Sequence, residues 1–355
     1  MLLADIMKKK EFVFGDELAR FQESLASYVG AKYAWGVGSG TDALIYSLKA
    51  LGVGHGDEVI VPAMSFPSTA FAVAWVGATP IFVDIELKNF HIDVEKIEEK
   101  ITSKTKVIMP VHLHGFLSDM GRISTIAAKH KVRVIEDAAQ AIGASRYGLV
   151  PGMLSDAACY SFSPTKILRC FGDGGAIVTN NEELSERVRL LRCYGAKLGR
   201  VYFHHEIVGI SSRLDNFQAG VMNIFMSELN EMISRQKRNW LTYLDKLKDV
   251  GDIVSPEYDS ENEGNGYRFV LRTKARDSLK KFLESKKIRV KINYPVPMPY
   301  LKALEYLGHS RGEFPNAELV SREILSLPTD YWLSEKDIHK NVEYIKDFLL
   351  HRWIA

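Results

Sequence analysis

The stretch KVIMPVHLHGFLSDMGRISTIAAKHKVRVIED (residues 106–137) decides the fold class. Its ends, KVIMPVHL (106–113) and VRVIED (132–137), are short, nearly continuous Val/Ile-rich runs of the kind that form strands buried on both faces. Between them, MGRISTIAAKHK (120–131) has a helical pattern. The same alternation extends in both directions, with strand-like runs EVIVPA (58–63), TPIFVDI (79–85), AACYSFS (157–163) and GAIVTN (175–180). The helix-like stretches TDALIYSLKALG (41–52), SFPSTAFAVAWVG (65–77) and DVEKIEEKI (93–101) lie among them. Strands separated in this way predict an α/β domain with a mostly parallel sheet covered by helices on both faces. An N-terminal helix over 16–29, with Leu18, Phe21, Leu25 and Tyr28 on one face, precedes it.

Beyond Asp215 the pattern changes. A long helix is predicted to about Leu247, then a polar loop (259–265), a strand at 267–273, a helix at 275–287 and a strand at 289–295. A proline-containing loop leads to two final helices, at 314–327 and 334–353. The expectation is a large domain, 1–245, and a smaller α+β domain, 246–355, which suits a chain of 355 residues.

Composition narrows the function classes. Forty-six basic against 44 acidic residues leave no strong positive field for a general nucleic-acid binder. Three cysteines, Cys159, Cys170 and Cys193, lack C-x-x-C spacing, so neither a disulfide scaffold nor a cysteine-based zinc site is predicted. No run approaches 18 apolar residues, and the charge order at the start is wrong for a signal peptide. These features predict a soluble cytoplasmic protein that binds neither membrane nor metal. His112 and His114 stand at strand spacing, but with no partner ligands nearby in sequence they read as packed or pocket-lining residues.

Three features at strand ends carry chemistry. Gly38 to Thr41 lies directly before a helix, with Thr41 or Asp42 near its N-cap. Free N–H groups and glycine make this either an anion cradle or an ordinary capped turn. Glu136-Asp137 ends a strand, where ligands of open α/β sheets bind and where helix caps are also common. Lys166 follows a strand and Pro164, ahead of a Gly-rich turn at 172–175; the alternative is a solvated charge. A cradle, a carboxylate and a lysine together match what pyridoxal phosphate requires, although spacing alone leaves this one reading among several.

The chain resembles the DegT/StrS-type sugar aminotransferases, fold-type-I enzymes that depend on pyridoxal phosphate. The likeness rests on SGTDAL (39–44), GDEVIVPAMSF (56–66), GATPIFVDI (77–85), PVHLHG (110–115), EDAAQAIGA (136–144), SFSPTKIL (161–168), GDGGAIVTN (172–180) and SRLDNFQA (212–219). It implies that Lys166 is the Schiff-base lysine and the catalytic base, that Asp137 pairs with the pyridine nitrogen and that Gln140 lies near the ring hydroxyl. Gly40, Thr41 and Ser161 would hold the phosphate, and Phe66 would stack on the ring. Where the family usually has an Asn that reaches the partner's cofactor phosphate, this chain has Ser211. Where it often has a His after Y-P-x-P, this chain has Pro299.

The resemblance also implies a reaction. Related dehydratases carry His in place of the lysine, so Lys166 points to amino transfer. The PTK, GDGGAI and SRLD segments look like those of enzymes aminating C3 of a nucleotide-linked keto-sugar, with C4 amination the alternative. L-glutamate would be converted to 2-oxoglutarate, the cofactor would pass through its pyridoxamine form, and a homodimer would form the sites at its interface. Arg213 is a candidate for the nucleotide diphosphate. Rival expectations are a regulatory relative without catalysis, and an aminotransferase acting on a cyclitol or a small keto compound.

Overall fold

The computed structural model describes residues 2–197 and 204–352. Helices α1 (Leu2–Lys9) and α2 (Asp16–Tyr28) precede strand β1 (Tyr33–Val37). Then follow α3 (Gly40–Ala50), β2 (Glu58–Pro62), α4 (Ser68–Trp75), β3 (Thr79–Val83), β4 (Thr105–Ile108), α5 (Met120–His130) and β5 (Arg133–Asp137). Strands β6 (Ala157–Ser161) and β7 (Gly175–Thr179) lead to α6 (Glu182–Leu191) and the 32-residue α7 (Asn216–Leu247). The C-terminal part holds β8 (Phe269–Arg272), α8 (Arg276–Ser285), α9 (Pro315–Glu323), β9 (Ile324–Leu327) and α10 (Glu335–Arg352).

The first seven strands form one sheet in the order β1-β7-β6-β5-β4-β2-β3. Neighbours from β3 through β6 pair in parallel, and β7 runs antiparallel to both β6 and β1. The α/β, mostly parallel expectation therefore holds. Burial on both faces explains the continuous apolar runs. Val59, Val61, Val107 and Ile135 pack towards α3 and α4, whereas Ile60, Ile108 and Val134 pack with Ile123 of α5. Each such side chain contributes about 1.5–3 kcal/mol on leaving water. Near β6, α2 supplies Leu18, Phe21 and Leu25, with Phe21 edge-on to Phe162 at 5.5 Å.

Some local readings needed correction. Residues 93–101 make two single-turn 3₁₀ segments instead of a helix, because a stretch this short has little intrinsic stability and Ile97 is drawn into the core. The expected helix 314–327 ends at Glu323, and the buried residues Ile324–Leu327 pair antiparallel with β8. The expected strand 289–295 is reduced to one bridge, Lys291 with Ser326. Strand β1, YAWGV, was not recognised in the sequence. Trp353, the end of the last expected helix, lies outside the described residues.

Candidate active site

Because β5 and β6 are parallel, both end at one edge of the sheet. The turn after β1, the segment after β2 and the antiparallel start of β7 arrive there too. That edge gathers Gly40, Phe66, Asp137, Ser161 and Gly175. It is also where ligands of open α/β sheets bind.

The neighbours Glu136 and Asp137 separate cleanly. Glu136 is buried among protein donors: His112 Nε2 at 2.6 Å, the Gly152 N–H at 2.7 Å and Ser155 Oγ at 2.5 Å. The Ser118 N–H donates to His112 Nδ1 at 3.2 Å, which places the ring proton on Nε2. This polar cluster is structural. Asp137 faces the other way, accepting from Thr69 Oγ1 at 2.7 Å and from the Ala139 N–H at 3.2 Å. Burial pushes its carboxyl above the ordinary range, while those bonds and the charge of Lys166 pull it down. Among the described residues it has no salt-bridge partner.

Lys166 follows β6 by five residues, and its Nζ stands 5.2 Å from the ring centroid of Tyr267, at the head of β8. The Tyr267 hydroxyl accepts from Arg268 Nη2 at 3.1 Å, and Arg268 also donates to Asn293. Burial raises the Tyr267 phenol. The charges of Lys166 and Arg268, with hydrogen bonds from Arg268 and Thr165, outweigh it and bring the phenol down to about 8.

The helix start before α3 is tightly built. Ser39, in extended conformation, is the N-cap, and its Oγ accepts from the Asp42 N–H at 3.0 Å; the expected Thr41 or Asp42 cap is thereby corrected. A Cβ on Gly40 would lie 2.6 Å from Ser161 Cβ, and one on Gly175 would fall onto the Ser39 carbonyl and 2.7 Å from the Gly40 nitrogen. Only glycine at both positions lets the helix start sit on the strand ends. Ser212 secures the turn from behind, accepting from the Gly38 N–H (2.9 Å) and donating to Asp42 Oδ2 (2.7 Å).

Gln140 is buried and fixed, with Oε1 accepting from the His114 N–H at 2.8 Å and Nε2 donating to Tyr294 Oη at 3.3 Å. The Phe66 ring is 6.2 Å from that of Tyr294 and remains 57% exposed. Ser211 is exposed and outside this chain's own cluster. The Arg213 guanidinium lies over the rings of Phe14 (5.3 Å) and Tyr194 (6.0 Å). Tyr267, Thr69, Gly175 and Ser212 were missed as site residues. Gly175 alone carried a signal, its place in the Gly-rich turn.

Pyridoxal phosphate fits these residues. Asp137 is a buried carboxylate with no salt-bridge partner among the described residues, suited to a protonated pyridine nitrogen. Phe66 offers an open aromatic face, and the glycine-lined start of α3 offers N–H groups to a phosphate. Fold and site together define a pyridoxal-phosphate aminotransferase. The chain belongs to the DegT/DnrJ/EryC1/StrS aminotransferase family, whose model matches residues 2–346.

The chain is 40% identical over 352 residues to a "Pleiotropic regulatory protein" of Geobacillus stearothermophilus, covering 99% of this chain and 94% of that one. It is 38% identical over 343 residues to the dTDP-3-amino-3,6-dideoxy-alpha-D-galactopyranose transaminase of Aneurinibacillus thermoaerophilus, covering 97% and 93%. Among solved structures, DesV of S. venezuelae, in complex with a ketimine intermediate, superposes with a TM-score of 0.95 at 36% identity, covering 98% and 93%.

Proposed function

We propose that this enzyme moves the amino group of L-glutamate to C3 of a dTDP- or UDP-linked keto-deoxy-sugar, releasing 2-oxoglutarate and an amino sugar for glycosylation chemistry. The observation that carries this reading is the meeting of Lys166, Asp137 and Gln140 at one sheet edge. C3 is supported by relatives named as 3-amino-sugar transaminases. When bound, the cofactor supplies an electron sink for a carbanion at the substrate carbon. The chain's own groups do the rest. The Lys166 amine takes the glutamate α-proton, holds it and later gives a proton to the sugar carbon. Asp137 holds the proton on the pyridine nitrogen, Gln140 stands by the ring hydroxyl, and Gly40, Thr41 and Ser161 receive the phosphate. Phe66 covers one ring face and excludes water there.

The organisation proposed with this function is a large domain, 1–245, and a small one, 246–355, in a cytoplasmic homodimer. No described helix is long and apolar enough to cross a membrane. The exposed side chains Phe14, Tyr194, Val208 and Ile210 support an apolar contact with a second copy, from which Ser211 would reach the partner's site. Light scattering of an active 40 kDa monomer would refute the dimer. The regulatory name of one relative keeps a second reading open, in which the chain binds cofactor without catalysis.

The test is the absorption spectrum of the protein with pyridoxal phosphate, before and after glutamate, beside Lys166→Ala. A visible band that glutamate abolishes, absent from the variant, is the expected result. A band that glutamate leaves unchanged would favour the regulatory reading.

A further inference from the structure

Residues 65–69, SFPST, join β2 to α4 and bring two hydroxyl groups to the cofactor edge. Thr69 lies in the first turn of α4, and its N–H donates to the Phe66 carbonyl at 3.2 Å. One turn therefore carries both the open ring of Phe66 and the hydroxyl of Thr69. That hydroxyl donates to Asp137 Oδ2 at 2.7 Å, and Ser65 Oγ stands 3.0 Å from Thr69 Oγ1. Ser65, Thr69 and Asp137 are 2%, 0% and 5% exposed, so bulk water does not replace a bond lost among them.

Counting protons gives this row a direction. A hydroxyl has one hydrogen to give, and an ionised carboxylate only accepts. Thr69 gives its hydrogen to Asp137, so its oxygen accepts from Ser65. Neither hydroxyl has another hydrogen-bond partner among the described residues. The Ala139 N–H holds the second carboxylate oxygen, Oδ1, at 3.2 Å. A donor on each oxygen fixes the rotation of the carboxyl group.

The other groups that face Asp137 do not supply this support. Cys159, its register partner on β6, is a buried thiol that burial pushes upward and keeps neutral. His112 gives Asp137 only its main-chain N–H, to the carbonyl, and turns its ring to Glu136. Burial likewise pushes the Tyr294 phenol upward, so it adds no charge. Lys166 acts on Asp137 as a cation, but its amine must be neutral to take a proton. The hydroxyl row persists in either state of that lysine.

We propose that Thr69, backed by Ser65, is a positioning residue that aims the Asp137 carboxylate and keeps it ionised for the pyridine nitrogen. The proposal deepens the function given above and rests on it. Hydrogen bonds to an ionised group are stronger than neutral ones, and this one favours the charged form of Asp137. Because Thr69 shares its turn with Phe66, the same segment sets the ring cover and the carboxylate beneath one control.

Three variants test this. Thr69→Val removes the donor at nearly constant shape, Thr69→Ser restores it, and Ser65→Ala removes the outer hydroxyl alone. The first readout is carboxyl-carbon NMR of the cofactor-free protein, with Asp137→Asn to assign the resonance. Thr69→Val should raise the titration midpoint of Asp137 by about one to two pH units. Ser65→Ala should raise it by less, and Thr69→Ser should return it to the parent value. The second readout is the single-turnover glutamate half-reaction of the loaded protein. A raised midpoint leaves Asp137 protonated at a higher pH, so the acid limb of the rate should move up by the same interval. The glutamate concentration for half saturation should not change. An unmoved midpoint in Thr69→Val overturns the proposal, as does a loss equal at every pH that Thr69→Ser does not repair. Should Thr69→Val fail to fold, an unmoved midpoint in Ser65→Ala overturns it instead. If the midpoint moves while glutamate leaves the parent's visible band unchanged, the hydroxyl row stands and the aminotransferase reading fails separately.

Discussion

In the cofactor-free protein, Tyr267 should ionise about two units below an ordinary tyrosine. Its ring is almost wholly buried, which alone raises a phenol. The cations Lys166 and Arg268, with the hydrogen bonds from Arg268 and Thr165, reverse that and leave it at about 8. Two units amount to about 2.7 kcal/mol in favour of the phenolate. Tyr28, Tyr46, Tyr160, Tyr243, Tyr258, Tyr294, Tyr300 and Tyr331 are all pushed upward by burial. An ultraviolet titration of the cofactor-free protein should therefore show one tyrosinate forming well before the rest, and Tyr267→Phe should remove that step alone. Stability follows the same linkage. The folded pKa lies below the unfolded one, so between about pH 8 and about pH 10 the folded state has lost a proton that the unfolded chain keeps. The stability gap between parent and Tyr267→Phe should widen as pH rises through that window, by at most about 2.7 kcal/mol, and close again on acidification. An early tyrosinate step that survives in Tyr267→Phe, or no step before the bulk of the tyrosines, would refute this electrostatic account.

Other substitutions probe the remaining groups. Gly40→Ala should drive a methyl into Ser161; at about 1–3 kcal/mol for such overpacking, the Kd for pyridoxal phosphate should rise about 5- to 150-fold, readable by fluorescence titration. Asp137→Asn keeps an acceptor for Thr69 but removes the charge, and should slow the glutamate half-reaction by about a hundredfold or more in single-turnover absorbance. Glu136→Gln should lower unfolding free energy by about 1–3 kcal/mol in urea while leaving the cofactor band in place. Equal effects of Asp137→Asn and Glu136→Gln on the half-reaction would contradict their separate roles.

The parallel strands were legible because burial on both faces leaves few options for residue type, as in EVIVP and RVIED. The alternation with α3, α4 and α5 followed from helical patterning. What escaped was set by distant partners. Ile324–Leu327 continues a helical pattern in sequence, but pairing with Phe269–Arg272 gives its backbone a better arrangement. Strand β1 contains Gly36, where a Cβ would crowd Leu214 and Leu18, and a glycine in a five-residue segment hides the strand signal. At the site, Lys166, Asp137 and the glycine turn stood at recognisable strand ends. Tyr267, about a hundred residues after Lys166 in sequence, carried no local mark, because its relevance comes only from where β8 docks. Ser211 was the serine singled out in the sequence, and its neighbour Ser212 is the one that turns inward. Its hydrogen bonds to Gly38 and Asp42 come from parts of the chain about 170 residues away, which no local pattern marks.

Glu136 and Asp137 differ by one methylene and one position, yet one braces His112 and the loop at 152–155 while the other faces Lys166 and the helix start. Their division of labour is a matter of parity along β5. Inserting a single residue between Arg133 and Glu136 would move Glu136 into the register of Asp137, presenting the longer acid to the cofactor edge and taking the carboxylate away from His112. The strand would remain apolar, hydrogen-bonded and in the sheet. Length, more than composition, is therefore what β5 has to preserve, and a frame change there should cost function before it costs the fold.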